Sequence, residues 1–455
     1  MPQHIPALRL GRAYESLDKV EVKDCRTGEV KASVSTVNAG IIRKDLAKIA
    51  AARAALKQFT HAQLIELTAK AADIFLTGNE PQQYLLNLSA TSGLPHVLVR
   101  RNMTRIHGMM SNIGAVLRGL TRGLDLDATG SPYSFYPATQ CLGLIMPSNS
   151  PAVNSLWLPA IALKIPVIIK PGREEPWTPY RLIQSFIQAG VPAEAFGFYP
   201  TDHEGAGAIL ALCGRSLLFG DKSVADQYAG NPAIQVHGPG YSKVLIGEDQ
   251  IDRWPEFLDV LVDSVSANGG RSCLNASAIL VPRHADAIAN ALAQRLGPIA
   301  PLPATDENAR LSGFANPKMA DAIDAGIEQA LPGAVDVTAQ YRNGPRKVLH
   351  EGATYLRPTI VRCPSFAHPL AGKEYLFPYA SVVEVPQAQM LSQIGPSLVV
   401  TAITRDEAWI EVLKECGHID RLNIGAISTM KISWDQPHEG NLFEFLYKRR
   451  AFERA

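Results

Sequence analysis

Residues 141–172 read CLGLIMPSNSPAVNSLWLPAIALKIPVIIKPG, in which two short apolar runs are separated by a helix-like segment. A strand, a helix and a second strand in succession are typical of a parallel sheet covered by helices on both faces. Outward from here the alternation continues through the runs SLLFG, KVLIG and ASAILVP, with helix-like segments such as YRLIQSFIQAG and DAIANALAQRLG between them. The sequence therefore predicts an α/β fold.

On both sides of this region the pattern changes. Residues 43–75 and the segments QQYLLNLSATSG and VRRNMTRIHGMMSNIGAVLRGL space their apolar residues three and four apart, which predicts helices. Residues 125–134 form a polar break, and a second alternating stretch follows from about Asn275. We therefore expect two α/β domains, with the polar break and the polar C-terminal tail available for assembly.

The charge balance excludes some classes of function. The chain has 455 residues, with 44 Lys and Arg against 43 Asp and Glu, so its net charge is +1. A field this weak does not bind nucleic acid or a membrane surface by overall charge, although a local basic patch stays open. With 46% apolar and 19% charged residues, the composition excludes general disorder.

The cysteines and apolar segments indicate a compartment. Six cysteines are scattered without a CxxC pair or a zinc-ligand spacing to a histidine, which favours reduced thiols and no metal site. No continuous apolar stretch opens the chain, and the most apolar segment, 156–169, is interrupted by Pro159, Lys164 and Pro166. We expect neither a secretory signal nor a membrane span, and hence a cytoplasmic protein.

Two loops carry groups suited to attack on a carbonyl. Asn268 to Cys273 (NGGRSC) places a cysteine after a glycine pair that lets backbone approach a substrate closely. A thiolate is a strong nucleophile when a charge such as that of Arg271 lowers its pKa, but a free cysteine is commonly a buried structural thiol. In Pro147 to Pro151 (PSNSP), the Asn149 amide either stabilises an oxyanion or belongs to a rigid turn.

Two further residues suit a cofactor site and an acid–base role. Lys170 ends the run IPVIIK, at the carboxyl end of a predicted parallel strand, where ligands bind in open α/β sheets. It either hydrogen-bonds a ribose or phosphate, or is a solvated lysine. His237, in the loop HGPG before the run KVLIG, is either a general base or a loop histidine bonded to backbone.

Taken together and in this order, these segments resemble the aldehyde dehydrogenase superfamily from about Gly40 to Ile427. Two loops resemble its Pro-Trp-Asn-x-Pro and Asn-x-Gly-Gln-x-Cys motifs, and Lys170-Pro171 with Pro176 and Thr178 is similar to its Lys-Pro segment. Leu218–Gly220 loosely resembles Phe-Thr-Gly. Near the C-terminus, a Pro-Thr strand and the Glu-x-Phe-Gly-Pro motif are matched by Arg357–Thr359 and by Glu374 with Pro378. Six matches in order favour the functional interpretation of Cys273, Asn149 and Lys170.

The resemblance implies a Rossmann-like cofactor domain, a second α/β catalytic domain and a small bridging element for oligomers. We assign residues 1–124 and 142–240 to NAD(P) binding, 241–425 to the catalytic domain, and 125–141 with 426–455 to the bridging element. By resemblance, Cys273 attacks an aldehyde to give a thiohemiacetal, and loss of hydride leaves a thioester. The Asn149 amide and the Cys273 backbone N–H would hold the oxyanion.

The resemblance also implies residues that bind NAD or NADP. Lys170 would bond the adenosine ribose and Glu374 the nicotinamide ribose, and Pro147, Ser148 and Gly220 would lie along the cofactor.

Two departures affect this cofactor site. Arg173 stands where NAD-preferring members often have a glutamate, and a guanidinium there would pair with a 2′-phosphate, which favours NADP or both cofactors. Asp221 stands where a serine commonly meets the pyrophosphate. A carboxylate there would repel phosphate unless it is turned away or paired with Lys222.

A third departure concerns the acceptor of the acyl group. Hydrolytic members use a glutamate to activate water, whereas the matching stretch here is His237–Tyr241. Either His237 serves as the base, or water is not the acceptor. Members that acylate coenzyme A generally lack the glutamate, and their loop often reads Gly-Pro-Gly, as residues 238–240 do. This favours a reversible, coenzyme A-acylating enzyme over a hydrolytic one, and a non-catalytic relative kept for binding or assembly is the third interpretation.

The substrate and the assembly are expected only in outline. Residues 107–117 with Leu156 and Trp157 would line an apolar aldehyde tunnel, although core packing explains the same residues equally well. The apolar side chains favour a medium aliphatic or aromatic aldehyde over a small charged one, and by resemblance we expect a homodimer or homotetramer.

Overall fold

The structure is a computed structural model that describes residues 2–127 and 133–453. It contains two compact units: unit 1 comprises residues 1–92, 99–238 and 433–455, and unit 2 comprises residues 93–98 and 239–432. The assignment of 1–124 and 142–240 to NAD(P) binding and of 241–425 to the catalytic domain stays a prediction. The bridging role assigned to 125–141 and 426–455 stays a prediction, and residues 128–132 of that segment lie outside the described residues.

Helices dominate the first part of unit 1 after five short strands. Apolar residues spaced three and four apart form these helices as predicted, and Thr60 begins α3 with a capping box to Gln63. The elements up to residue 120 are β1 (Gln3–Ile5), β2 (Ala7–Arg9), β3 (Arg12–Tyr14), β4 (Lys19–Lys23), β5 (Val30–Ser35), α1 (Ala39–Leu46), α2 (Ile49–Lys57), α3 (His61–Thr77), α4 (Pro81–Ser92), α5 (His96–Ser111) and α6 (Ile113–Leu120).

A seven-stranded sheet forms the centre of unit 1. It is built from the alternating region, whose elements are β6 (Tyr133–Pro137), β7 (Leu142–Ile145), α7 (Pro159–Ala162), β8 (Val167–Lys170), α8 (Trp177–Ala189), β9 (Phe196–Phe198), α9 (His203–Leu212), β10 (Arg215–Phe219), α10 (Lys222–Tyr228) and β11 (Ile234–His237). The strand order is β11-β10-β7-β8-β9-β2-β3. The first five strands are parallel, and β2 and β3 are antiparallel additions. Every residue of β7 is buried, which explains its unbroken apolar run.

Unit 2 holds a second seven-stranded sheet, in the order β14-β17-β18-β13-β12-β19-β20. All its strands are parallel except β14. The elements are β12 (Lys243–Ile246), α11 (Leu258–Ser266), β13 (Ala278–Val281), α12 (Ala285–Leu296), α13 (Pro317–Ala330), β14 (Val335–Asp336), β15 (Lys347–His350), β16 (Ala353–Leu356), β17 (Thr359–Cys363), β18 (Tyr379–Glu384), α14 (Gln387–Ile394), β19 (Ser397–Ile403), α15 (Glu407–Lys414) and β20 (Ile419–Ile424). The predicted α/β fold is thereby confirmed.

The last residues of the chain return to unit 1. They form α16 (Leu442–Leu446) and β21 (Tyr447–Ala451), and β21 pairs antiparallel with β6. Short 3-10 helices complete the structure at Pro151–Leu156, Ala193–Ala195, Ile251–Phe257, Ala267–Gly270 and Val337–Gln340. Within the described ranges, no helix combines the length and the apolar character that crossing a bilayer requires.

Candidate functional site

The cysteine predicted as nucleophile follows a tight corner in unit 2. After α11 the chain turns at Asn268, Gly269 and Gly270, whose φ angles of 54°, 66° and 70° lie in the left-handed region. A side chain at Gly270 would collide with the backbone of Phe377, so the corner needs glycine there. Cys273 follows the corner and is half-buried.

The loop that precedes β12 packs directly against this cysteine. The Ser242 hydroxyl donates a 2.8 Å hydrogen bond to the carbonyl oxygen of Cys273. A side chain at Gly240 would collide with the same carbonyl group, so only glycine permits this close approach. Packing against Cys273 therefore explains why the last residue of the Gly-Pro-Gly loop is a glycine.

Glu374 joins the same cluster in unit 2. It accepts a 2.6 Å hydrogen bond from the backbone N–H of Tyr241. Next to it, the buried Lys243 donates to the carbonyl oxygen of Tyr241 and, over 2.9 Å, to the hydroxyl of Ser397. Burial lowers the pKa of Lys243 to about 8, and the negative charge of Glu374 opposes that shift. Unit 2 thus brings Glu374, the 240–243 loop and Cys273 together.

A second arginine, not marked by any sequence motif, acts on the cysteine. Arg271, the predicted cation, donates to the carbonyl oxygen of Gly313 and lies 5.5 Å from the ring centre of Phe314, which fixes the loop. Burial lowers the pKa of Arg421 on β20, and the negative charge of a Cys273 thiolate opposes that shift. Arg421 is therefore a cation within electrostatic reach of Cys273, where it favours the thiolate.

In unit 1 the loop after β7 packs against the segment after β8. The backbone N–H of Glu174 donates a 3.2 Å hydrogen bond to the Ser148 hydroxyl. A side chain at Gly172 would collide with Pro147 and Ser148, so these two segments meet at van der Waals distance. Asn149 is half-buried at the tip of the loop. The predicted residues that follow β7 and β8 therefore share one edge of the sheet: Pro147, Ser148, Asn149 and Arg173.

Lys170 and Arg173 differ in their surroundings. Lys170 ends β8 half-buried, and its side-chain ammonium makes no hydrogen bond to the residues that the structure describes. Burial lowers its pKa, and the charge of Glu174 opposes that shift. Arg173 is exposed. A desolvated ammonium without a protein partner is suited to donate to a ribose hydroxyl.

Gly220 and Asp221 connect β10 to α10. A side chain at Gly220 would lie 2.6 Å from Val224, so a glycine is required for the chain to enter the helix. The Asp221 carboxylate accepts hydrogen bonds from the backbone N–H groups of Ser223 and Val224, and so caps α10. Hydrogen bonds from Ser223 lower the pKa of Asp221, which keeps it ionised. Lys222 pairs with Asp226, one turn along α10.

His237 ends β11 and has a partner that the sequence did not reveal. Its Nδ1 lies 2.5 Å from the carboxylate of Glu439, in the C-terminal segment. Its ring stacks on Phe219 with a centroid distance of 4.7 Å and an interplanar angle of 15°. Its Nε2 is buried and has no hydrogen-bond partner in the described structure. The loop-histidine interpretation, with a bond to backbone, is therefore not what the structure shows.

The sheet of unit 1 places several of these loops where a dinucleotide would bind. From β7 the chain goes on to β8 on one side, and it later returns to β10 on the other side of β7. Ligands of open α/β sheets bind at such a reversal, outside the carboxyl ends of the strands. The 147–151 loop, Lys170 and Gly220–Asp221 all follow these strand ends. Lys170 fits NAD(P), whereas the Asp221 carboxylate does not suit a pyrophosphate.

Several residues of the predicted aldehyde tunnel are core residues. Met110, Ile113 and Trp157 are fully buried, and Gly108 lies against the ring of Trp434 from the C-terminal segment. The apolar tunnel therefore stays a prediction. Among the described residues, no group of three or more His, Cys, Asp or Glu side chains is arranged to hold a metal ion.

Solved structures with a similar fold cover nearly the whole chain. Aldehyde dehydrogenase 21 from Physcomitrella patens, in complex with the reaction product succinate, matches with 15% identity and a TM-score of 0.80 over 99% of this chain and 98% of its own. Aldehyde dehydrogenase KauB from Pseudomonas aeruginosa matches with 17% identity and a TM-score of 0.83 over 99% and 97%. An indole-3-acetaldehyde dehydrogenase complexed with NAD+ matches with 17% identity and a TM-score of 0.83 over 99% and 96%. At these identities the likeness shows the fold.

The family is shown by the sequence itself. No curated protein matches the chain. The model of the aldehyde dehydrogenase family matches residues 12–394, a range that includes Asn149, Cys273 and Glu374 and ends before Arg421 and Glu439. The chain therefore belongs to the aldehyde dehydrogenase family, and it is an NAD(P)-dependent oxidoreductase that acts on aldehydes.

Proposed function

We propose that the chain oxidises an aldehyde through a thioester on Cys273 and passes the acyl group to water, which yields a carboxylic acid. The observation that carries water as the acceptor is the state of His237. A carboxylate can only accept a hydrogen bond, so Nδ1–H of His237 would donate to Glu439, and Nε2, which has no partner among the described residues, would carry the lone pair of the base. A buried nitrogen in that state is suited to take a proton from water.

The reaction would proceed in two stages on the chain's own groups. The Cys273 thiolate attacks the carbonyl carbon, and the side-chain amide of Asn149 with the Cys273 backbone N–H stabilises the oxyanion. Loss of hydride from this adduct, for which bound NAD(P) would supply the acceptor, would leave the thioester on Cys273. Nε2 of His237 then takes a proton from water as its oxygen attacks the thioester carbon. The carbon–sulfur bond breaks, the acid leaves, and the thiolate of Cys273 is restored.

The cofactor would be held by the strand ends of unit 1 and by Glu374. Lys170 would donate a hydrogen bond to the adenosine ribose, and Glu374 would accept one from the nicotinamide ribose. The backbone of Pro147, Ser148 and Gly220 would lie close to the cofactor. The exposed guanidinium of Arg173 supports use of NADP beside NAD, because it would pair with a 2′-phosphate. The position of Lys170 at the carboxyl end of β8 supports this arrangement.

Coenzyme A is the second candidate acceptor. The absence of the family's water-activating glutamate and the Gly-Pro-Gly loop at 238–240 favour it. A thiol needs little activation, so an enzyme of this kind would not need the His237–Glu439 pair. That pair is the reason why we place water first.

The test is cofactor reduction with a panel of apolar aldehydes and NAD or NADP, each with and without coenzyme A, followed by product identification. We expect equal rates in both conditions and a free carboxylic acid, and no turnover by Cys273→Ala. Turnover that requires coenzyme A and yields an acyl-CoA would contradict water as acceptor. No turnover with any aldehyde, together with a Cys273 that resists alkylation, would support the non-catalytic relative.

We also propose that the protein is cytoplasmic and forms a homodimer or homotetramer. All six cysteines are free thiols, which suits a reducing compartment. The β6–β21 ribbon is the element to which the resemblance assigns subunit contacts. Light scattering that gives the mass of a monomer at micromolar concentration would contradict the assembly.

A further inference from the structure

We propose that Glu439 is a positioning residue for deacylation, which orients His237 and supplies the carboxylate that the chain lacks at the family's usual position. This inference rests on the proposed function with water as acceptor. Glu439 lies in the C-terminal segment, outside the residues that the family model matches. The base would thus be a histidine–glutamate pair built from β11 and a segment about 200 residues further along the chain.

The contact between the two side chains is short and largely shielded from water. Nδ1 of His237 and Oε2 of Glu439 are 2.5 Å apart, and the two side chains are 5% and 22% exposed. A hydrogen bond to an ionised carboxylate is stronger than a neutral one, and more so where water is excluded. The pair therefore fixes both the tautomer and the ring orientation of His237.

The segment that carries Glu439 is held by contacts at Glu439 itself and at the two residues that follow it. The Gln235 side-chain amide donates a 2.9 Å hydrogen bond to the carbonyl oxygen of Glu439. Gly440 has a φ of 62°, and a side chain there would lie 2.8 Å from the Gln235 amide. The Asn441 side-chain amide donates a 2.9 Å hydrogen bond to the carbonyl oxygen of Leu120, and its oxygen caps α16. Glu439 is thus presented to His237 by backbone contacts and is not a mobile surface carboxylate.

The other nitrogen of the ring points to a catalytic use. The stacked Phe219 leaves the imidazole little freedom to rotate. Burial of a polar nitrogen without a partner costs on the order of 1–3 kcal/mol, and such groups are few in folded proteins. Nε2 of His350 is also buried without a partner among the described residues, so what distinguishes His237 is the carboxylate on its other nitrogen. With that carboxylate in place, Nε2 of His237 is left to accept a proton.

In the proposed reaction, the pair takes one proton from water and later releases it to solvent. Water gives a proton to Nε2 of His237 while its oxygen bonds to the thioester carbon, and the Cys273 sulfur leaves with the bonding electrons. The imidazolium that forms is stabilised through Nδ1–H by the carboxylate of Glu439. The proton then returns to solvent, and no electron is transferred in this stage.

The experiment is stopped-flow cofactor reduction by Glu439→Gln, followed by the steady state. Hydride transfer precedes deacylation, so we expect a burst close to one reduced cofactor per active site and a steady-state rate lower by about tenfold or more. Glu439→Asp, which keeps the charge, should recover part of the steady-state rate. The matched control is Glu444→Gln, a surface glutamate of the same segment paired with Arg122, and it should leave both phases unchanged.

A double variant separates positioning from a general structural role. His237→Asn should also keep the burst and lose the steady state, and His237→Asn with Glu439→Gln should be no slower than His237→Asn alone. An unchanged steady state in Glu439→Gln, loss of its burst, or additive losses in the double variant would each overturn the proposal. Failure of the proposed function itself would be visible in the wild type, as absent or coenzyme A-dependent turnover.

Discussion

At the scale of single residues, the clearest requirement is the glycine at position 240. Its missing side chain lets the loop before β12 lie against the Cys273 carbonyl. We expect Gly240→Ala to destabilise the fold by about 1–3 kcal/mol and to lower activity, because either the loop or the nucleophile must move. Thermal unfolding and steady-state rates measure both effects. Gly207→Ala is the control, since its added methyl group meets open space on α9 and should be neutral or slightly stabilising.

Arg173 is the residue on which cofactor choice depends. It is exposed and close in sequence to Lys170. An ionic hydrogen bond contributes about 1.5–3 kcal/mol, so we expect Arg173→Glu to raise the KM for NADP about tenfold or more and to change the KM for NAD much less. The control is Arg405→Glu, an exposed arginine in unit 2. Equal changes with NAD and NADP would contradict the assignment.

Motif spacing predicted the nucleophile loop and the strand-end lysine, because those residues act through local backbone geometry. It did not predict Arg421 or Glu439. Both act through contacts between residues far apart in sequence: 202 positions separate His237 from Glu439. Arg421 lies on β20 as one charge in an otherwise ordinary strand sequence, IDRLNI. Only the folded chain shows that Arg421 lies within electrostatic reach of Cys273 and that Glu439 binds His237.

At the scale of elements, α10 is capped by a charge that does not suit its expected ligand. Asp221 is ionised and exposed at the helix N-terminus. A serine caps a helix about as well as an aspartate, and it lacks the charge that repels phosphate. We expect Asp221→Ser to lower the KM for NAD(P) several-fold without a loss of stability. Asp226→Asn, further along α10, should leave the KM unchanged. A higher KM in Asp221→Ser would show that the carboxylate assists binding.

The helix α8 begins with a buried carboxyl group that makes stability depend on pH. Burial raises the pKa of Glu175 to about 8, while hydrogen bonds from Thr178 oppose the shift. Because the folded pKa exceeds the ordinary value of 4.5, this group's contribution is complete below pH 4.5 and is lost as pH rises through about 8. Melting temperatures of Glu175→Gln between pH 5 and 8 should therefore fall less than those of the wild type. Parallel curves would contradict a raised pKa.

The elements that apolar patterns predicted are those with one long, regular face. The parallel strands β7, β8, β10, β12 and β13 follow this rule, because both faces of their sheets are buried. The strands β1 to β5 were not predicted, since they are short and mix polar with apolar residues. The strand β11 (IQVH) was missed for the same reason. Such short strands are formed by pairing with neighbours, which a sequence pattern does not display.

At the scale of the whole molecule, the polar C-terminal tail is part of unit 1. The sequence predicts a polar tail available for assembly, and its residues from 433 onward pack on α5, β6, β11 and the end of α6. Trp434 lies against Gly108, and Glu439 binds His237. Tail residues thus contribute an aromatic ring and a carboxylate to unit 1. Composition alone could not assign them to it.

The central claim is that Cys273 carries the acyl group and that His237 promotes its release to water. The most direct measurement is peptide mass spectrometry of His237→Asn, quenched in acid after one turnover with an aldehyde and NAD or NADP. We expect the mass of the acyl group on the peptide that contains Cys273, and its absence when the cofactor is omitted. Cofactor reduction without any acylated Cys273 peptide, or full activity of Cys273→Ser, would contradict the account.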